Sequence, residues 1–213
     1  MIIYNPLDGL ALSHSIVGKP RQIFLMTRLG NPVPNMVGEI RQAIEECCPD
    51  FEYGVIDAQA KVTGRDFLLK IWKLIVSTPL AVGVLHEDIP ADTQANIFYE
   101  IGVAQALGKE TVIIKSPGAK IPSDFVRSEY VTFDENFRMN FCAFLESADE
   151  QADYYETMGD QLERNPLLAI DYYKRAYLIK GDDSLKNKAI SVLGSAGLEQ
   201  RATNSVELLA ASF

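Results

Sequence analysis

Residues 80–115 read LAVGVLHEDIPADTQANIFYEIGVAQALGKETVIIK. An unbroken apolar run at 80–85 suits a strand buried on both faces. A polar loop follows, and then a helical stretch over about 94–107, with Gly108 placed to cap its carboxyl end. A second apolar run at 111–114 makes the next strand. The helix is apolar on nearly every side, yet it contains Glu100. A helical wheel puts Ile97, Glu100, Ile101, Ala104, Leu107 and Gly108 on one stripe, so Glu100 replaces an apolar residue in the core-facing set. The predicted start of the helix also puts Glu100 within about one turn of free backbone N–H groups. A carboxylate in such a place costs several kcal/mol of desolvation unless it is paired or protonated, and such groups concentrate at functional sites. The same position also suits a carboxylate that caps the neighbouring strand or pairs with an arginine.

Working outward, the alternation continues. An apolar run at 23–26 predicts a strand, and LGNPVPN predicts a loop. Met36, Ile40, Ala43, Ile44 and Cys47 predict a helix over 35–48 that Pro49 ends. A strand is expected at 51–56. The loop DAQAKVTGRD leads to a helix over 66–77 carrying Phe67, Leu68, Ile71, Trp72 and Ile75. A fifth strand is expected at 130–133, and a helix at 135–145 closes the domain. Short apolar strands alternating with helices predict an α/β, doubly wound, parallel sheet of about five strands with a C-terminal all-helical extension. Ligands in such folds bind beyond the carboxyl ends of the strands. The loops at 27–35, 57–66 and 86–96 all leave that end and should converge on one crevice.

The division expected is an N-terminal arm at 1–20, the α/β domain at 21–147, and a helical extension at 148–213. In the extension, Tyr155, Met158 and Gly159 are followed by Ala169, Tyr172, Tyr173 and Ala176. Glycine and alanine there let two antiparallel helices pack closely. The pattern resembles one tetratricopeptide-type hairpin, shortened by about two residues between its helices. One such unit cannot bury its own face. Self-association into a homo-oligomer, or a protein partner on the helical tail, is therefore expected.

The chain has 213 residues, a net charge of −9 and 47% hydrophobic residues. That balance excludes a disordered chain and argues against nucleic-acid binding, which needs clustered Lys and Arg. No apolar run is long enough for a membrane span, and the N-terminus does not resemble a signal peptide. Three cysteines and two histidines form no zinc pattern and no disulfide framework. The expectation is a cytoplasmic protein with no metal and no cofactor. Cys47 and Cys48 read as buried thiols, Trp72 and Tyr99 as packing residues, and Lys109 as solvated.

The segment Asn96-Ile97-Phe98-Tyr99-Glu100-Ile101-Gly102-Val103-Ala104-Gln105-Ala106-Leu107-Gly108-Lys109 resembles the aromatic-Glu-[IL]-Gly-x-Ala-x-Ala-x-Gly-Lys helix of nucleoside 2-deoxyribosyltransferases and their TIR-like relatives. The resemblance covers about residues 21–146. It implies a flavodoxin- or TIR-like sheet and a small-molecule nucleotide or nucleoside ligand. It also implies a glutamate, here Glu100, that attacks or supports attack on the anomeric carbon of an N-glycoside. The substrate would be a nucleotide, a deoxynucleoside or NAD. Relatives that have lost the chemistry bind nucleotides or signal instead. The family's first loop is small and Gly-bearing, whereas here it reads Met26-Thr27-Arg28-Leu29-Gly30-Asn31. The family places an aspartate a few residues before the glutamate, where the candidate here is Asp92, eight residues before, with Gln94 nearer; its second aspartate is best matched by Asp66, with Asp57 as fallback. Gly102 and Ala104 are small enough for close approach to the sheet or to a sugar.

Further candidates surround this core. Asn96 lies one turn before Glu100 and can hydrogen-bond the carboxylate or a ligand. Arg28 follows the first strand, where its guanidinium suits a phosphate; it also suits a surface pair with Glu39 or Asp57. Asp66 suits a ligand contact or a charge at a helix N-terminus. His86 follows the third strand and suits acid–base work or a structural hydrogen bond.

Overall fold

The computed structural model describes residues 9, 16–58, 67–125, 130–162, 164–195, 210, 211 and 213. These fall into two compact units. One is Gln22–Glu146; the other joins the chain through Arg21 to Ser147–Phe213.

The first unit is built on five strands: β1 (Gln22–Met26), β2 (Gly54–Ile56), β3 (Leu80–Leu85), β4 (Glu110–Lys115) and β5 (Tyr130–Thr132). They form one sheet in the order β2-β1-β3-β4-β5, and every pairing is parallel. Three helices join them in sequence: α1 (Asn35–Cys47), α2 (Phe67–Ser77) and α3 (Ala91–Ala106). This is the doubly wound α/β fold. The chain leaves β1 toward β2 on one side and returns to place β3 on the other. The switch point, where such folds hold ligands, therefore lies between β1 and β3.

β3 is buried along its whole length, because helices cover both faces of the sheet at its centre. Gly83 sits beneath α3: a Cβ there would lie 3.1 Å from both Ile97 Cγ2 and Ile101 Cγ1. The close approach of helix to sheet thus rests on Gly83. Gly102, expected to provide it, faces open space, while Ala104 is fully buried. α3 ends as the sequence predicts. Gly108 has φ +67°, its N–H donates to Gln105 O at 2.9 Å, and Lys109 N–H donates to Ala104 O at 3.0 Å. That is a Schellman closure. The side chain of Lys109 is not solvated as expected: Nζ donates to Val76 O at 2.8 Å, tying the end of α3 to the end of α2.

Three boundaries differ from the sequence pattern. β2 begins at Gly54, because Cys48–Phe51 winds into a 3-10 turn with Pro49 in its first turn. α3 begins at Ala91, where Thr93 and Gln94 donate to Pro90 O at 2.9 and 3.0 Å. That first turn is polar and shows no apolar period. The helix after β5 does not close the domain at 145; α4 runs Phe137–Gln161, and the division between the units falls inside it. Residues 146–158 contain neither glycine nor proline, so nothing local stops the helix.

In the second unit the latter part of α4 is followed by α5 (Pro166–Lys180) and α6 (Asp183–Ser195). Pro166 opens α5 and Gly181, with φ +72°, closes it. Ala152, Tyr155, Ala169, Tyr173, Ala176, Leu185 and Ala189 form its core. A Cβ on Gly159 would lie 2.5 Å from Tyr173 Cε1, so the ring occupies the space that glycine leaves. Tyr173 OH donates to Asp160 Oδ1 at 2.9 Å. Among the described residues no helix is long and apolar enough to cross a membrane. Most of the expected N-terminal arm at 1–20, and most of the tail beyond 195, lies outside the described residues.

Candidate functional site

A cavity of about 180 Å³ opens at the switch point. The carboxyl end of β1 supplies one wall through Met26, Thr27 and Leu29. α3 contributes Thr93, Asn96, Ile97 and Glu100. Ala58, just past β2, and Phe67 and Ile71 of α2 complete the lining.

The α3 wall follows from helix geometry. Ile97, Ile101 and Ala104 are buried on the sheet-facing stripe. At 100° per residue, Thr93, Asn96 and Glu100 form a row along the flank of that stripe. The helix therefore turns its apolar face to the sheet and a polar edge to the cavity. Glu100 is half-buried rather than enclosed in the core. It lies nine residues past Ala91, in the middle of α3, so the free N–H groups of the helix start do not reach it. Among the described residues no arginine, amide or hydroxyl partners its carboxylate. Burial pushes its pKa up to about 7. At neutral pH the group is thus divided between acid and carboxylate.

Three other polar residues line the cavity: Thr27, Thr93 and Asn96. The Thr27 hydroxyl is shut off from solvent and has no hydrogen-bond partner among the described residues. The exposed side chain of Asn96 stands one helical turn before Glu100. Sequence patterning singled out Asn96 and missed Thr27 and Thr93. Thr27 is the first residue beyond the apolar run of β1, and Thr93 lies in the unrecognised first turn of α3; those positions were the available signals.

The other predicted residues are placed elsewhere. Arg28 turns back on its own loop, with Nε donating to Gly30 O at 2.8 Å, and it does not line the cavity. Asp57 pairs with Arg41 Nη1 at 2.5 Å, not with Arg28. Asp92 is exposed in the first turn of α3. His86 is 6% exposed, and its Nδ1 accepts from Asp88 N–H at 3.0 Å, a local structural bond. Asp66 lies outside the described residues. Tyr99, expected to pack, is 49% exposed, and Trp72 is only half-buried. Cys47 and Cys48 are buried as expected. Burial pushes the Cys48 thiol up to about 12, which leaves it unreactive. Among the described residues no group of three His, Cys, Asp or Glu side chains could hold a metal ion.

No protein-family model and no curated protein matches the sequence. Among solved structures the chain is similar to a 2-deoxyribosyltransferase from the psychrotolerant bacterium Bacillus psychrosaccharolyticus. The two are 15% identical with a TM-score of 0.44, over 57% of this chain and 90% of that one. At that distance the likeness assigns no residue a role.

Proposed function

We propose that this protein binds a nucleoside or nucleotide at the β1/β3 switch point and cleaves its base–sugar bond, with Glu100 as the central carboxylate. One observation carries the reading: a half-buried carboxyl with a pKa raised to about 7 faces a cavity and has no partner among the described residues. A structural glutamate at this depth would be expected to hold a partner. A group poised near neutrality suits acid–base or nucleophilic work.

Cleavage of an N-glycoside builds positive charge on the anomeric carbon as the C–N bond breaks. The bonding pair leaves with the base nitrogen, which takes up a proton. The Glu100 carboxylate can bond to the anomeric carbon as a glycosyl ester that water later hydrolyses. It can instead take a proton from the water that attacks that carbon. Either course ends in free base, free sugar unit and regenerated carboxylate. Asn96 is the candidate for holding the sugar hydroxyls, and Asp66 for a second carboxylate.

A second reading is a nucleotide-binding or signalling module without turnover, its helical unit engaging a partner protein or another copy. One observation favours it: the described lining holds no second carboxylate, and Asp57 is occupied by Arg41.

The experiment is chromatographic. Purified protein is incubated with nucleosides, nucleotides, deoxynucleotides and NAD, and free base is measured, with Glu100→Gln beside the wild type. Base released by wild type alone supports the glycosidase. A ligand that raises the melting temperature without base release supports the binding module.

A further inference from the structure

The end of α1 and the start of α4 bring together all three cysteines of the chain. Val37, Ile40, Ile44 and Cys47 are the buried positions of α1, so Cys47 is the last residue of its core-facing stripe. On α4, Phe137, Phe141, Phe144 and Leu145 are buried, and Cys142 stands on the flank of that stripe, half-exposed. Arg138 lies one helical turn before Cys142, on the same side of α4. Its Nη2 is 2.7 Å from Oδ2 of Asp50, in the 3-10 turn that follows Cys47. The Arg138–Cys142 side of α4 therefore faces residues 47–50, and the Cys47 and Cys142 thiols are hydrogen-bonded to each other. Burial raises the Cys47 thiol above its ordinary range, and Cys48 beside it holds its proton more tightly still. An oxidant thus meets the half-exposed Cys142 first, and Cys47 is the group placed to resolve what forms there.

We propose that Cys47 and Cys142 form a redox-modification site, a reversible disulfide made when hydrogen peroxide oxidises Cys142 and Cys47 resolves the product. The inference is independent of the nucleoside reading of the cavity. The Cys142 sulfur attacks one oxygen of the peroxide. The O–O bond breaks, leaving a sulfenic acid on Cys142, and the departing hydroxide takes the thiol proton as one water. The Cys47 sulfur then attacks the Cys142 sulfur. The S–S bond forms, the S–O bond breaks, and hydroxide leaves with the Cys47 proton as a second water. Two thiols have given up two electrons, and the peroxide has taken them. A dithiol reductant returns both thiols by exchange. The bond ties α1 to α4 and, bridging positions far apart in the sequence, constrains the unfolded chain.

The test uses the full chain, reduced and then exposed to hydrogen peroxide, with remaining thiols alkylated in denaturant and counted by mass. The wild type is expected to fall from three thiols to one, and dithiothreitol to restore all three. Fragmentation of the linked peptides places the bond between Cys47 and Cys142 of the same chain. Cys48→Ser still loses both of its thiols, whereas Cys142→Ser keeps both of its own. Cys47→Ala, which lacks the resolving thiol, accumulates a sulfenic acid at Cys142 that dimedone traps. The oxidised wild type melts about 5 °C or more above the reduced protein. Any of five results would overturn the site: three thiols surviving the peroxide; Cys142 oxidised with Cys47 left as a thiol; a bond to Cys48; a bond between two chains; or an oxidised protein that melts no higher than the reduced one, which would show the bond forming only in a distorted fold. The wild-type map needs no substitution, so it decides even where a variant fails to fold.

Discussion

Arg41 Nη1 meets Asp57 Oδ2 at 2.5 Å, linking the middle of α1 to the residue that follows β2. The Asp57 side chain is only 8% exposed, whereas that of Arg41 is 33% exposed and also bonds Glu45 at 2.9 Å. The pair therefore has one desolvated end and one wet end. Removing the wet end takes a cation from a largely buried carboxylate, and that costs more than an exposed pair is worth. Arg41→Met is expected to lower unfolding stability by about 1–3 kcal/mol. Arg41→Met with Asp57→Asn should recover part of the loss. Urea titration of the double-mutant cycle checks both values, and a change within about 0.5 kcal/mol for Arg41→Met alone would show the pair to be inert.

Two helical glycines should answer oppositely to alanine. Gly102 on α3 has no atom within 4 Å of an added Cβ, so Gly102→Ala gains helix propensity and is expected to stabilise by about 0.5–1 kcal/mol. Gly159 on α4 has the same propensity to gain. Its added Cβ, however, would stand 2.5 Å from the ring of Tyr173, which is 1% exposed and anchored to Asp160. Overpacking outweighs propensity there, and Gly159→Ala should lose about 1–3 kcal/mol. Thermal melts of the two variants decide the matter; a stable Gly159→Ala would mean that the ring can move aside.

Lys188 holds two carboxylates at once: Nζ lies 2.9 Å from Glu156 Oε1 and 2.8 Å from Asp160 Oδ1. Hydrogen bonds from Lys180 and Lys188 hold the Glu156 carboxyl below its ordinary range. Partial burial pushes Asp160 the other way, but bonds from Lys188 and Tyr173 outweigh it and the net shift is also downward. Carboxyls depressed on folding stabilise above their unfolded pKa values, near 4, and that contribution fades as pH falls through the folded values. Lys188→Met should therefore cost about 1 kcal/mol at pH 7 and much less near pH 2.5. Lys188 Nζ also lies 5.7 Å from the centroid of the Tyr173 ring, and equal losses at both pH values would assign the effect to that contact rather than to the carboxylates.

The sheet was legible because each strand is an apolar run bounded by Pro, Gly or charge, and burial on both faces demands such runs. What patterning missed shares one cause: the interaction that decides is not local. The polar first turn of α3 is set by Pro90 O accepting two N–H groups, not by apolar spacing. Tyr99 sits beside an apolar stripe in sequence yet faces water, because its 100° rotation from Glu100 carries it away from the sheet. Glu100 and Asn96 could be read from one helix wheel. Thr27 could not, since whether a buried hydroxyl finds a partner depends on residues distant in sequence. Arg28 and Asp57 sit at the strand ends that the fold predicts, but Gly30 O and Arg41 engage them there.

Glu100 carries a pH signature in stability as well as in turnover. Its carboxyl has an ordinary pKa of 4.5 and is raised by burial to about 7 in the folded protein. The folded state therefore binds the proton more tightly than the unfolded state does. Below pH 4.5 the carboxyl is protonated in both states and costs nothing. As pH rises through 7 the folded protein must ionise a desolvated group, and stability falls. Glutamine stays neutral throughout. The stability of Glu100→Gln minus that of wild type should be near zero at pH 4, grow through pH 5–7, and level off above pH 8 at about 1–3 kcal/mol. Base release, which needs the carboxylate, should run the other way in the wild type, falling as pH drops below about 7. Urea titrations of both proteins from pH 4 to pH 9 would give the first curve. A flat difference would mean that water reaches the carboxyl freely, and the case for Glu100 as a poised catalytic group would fail with it.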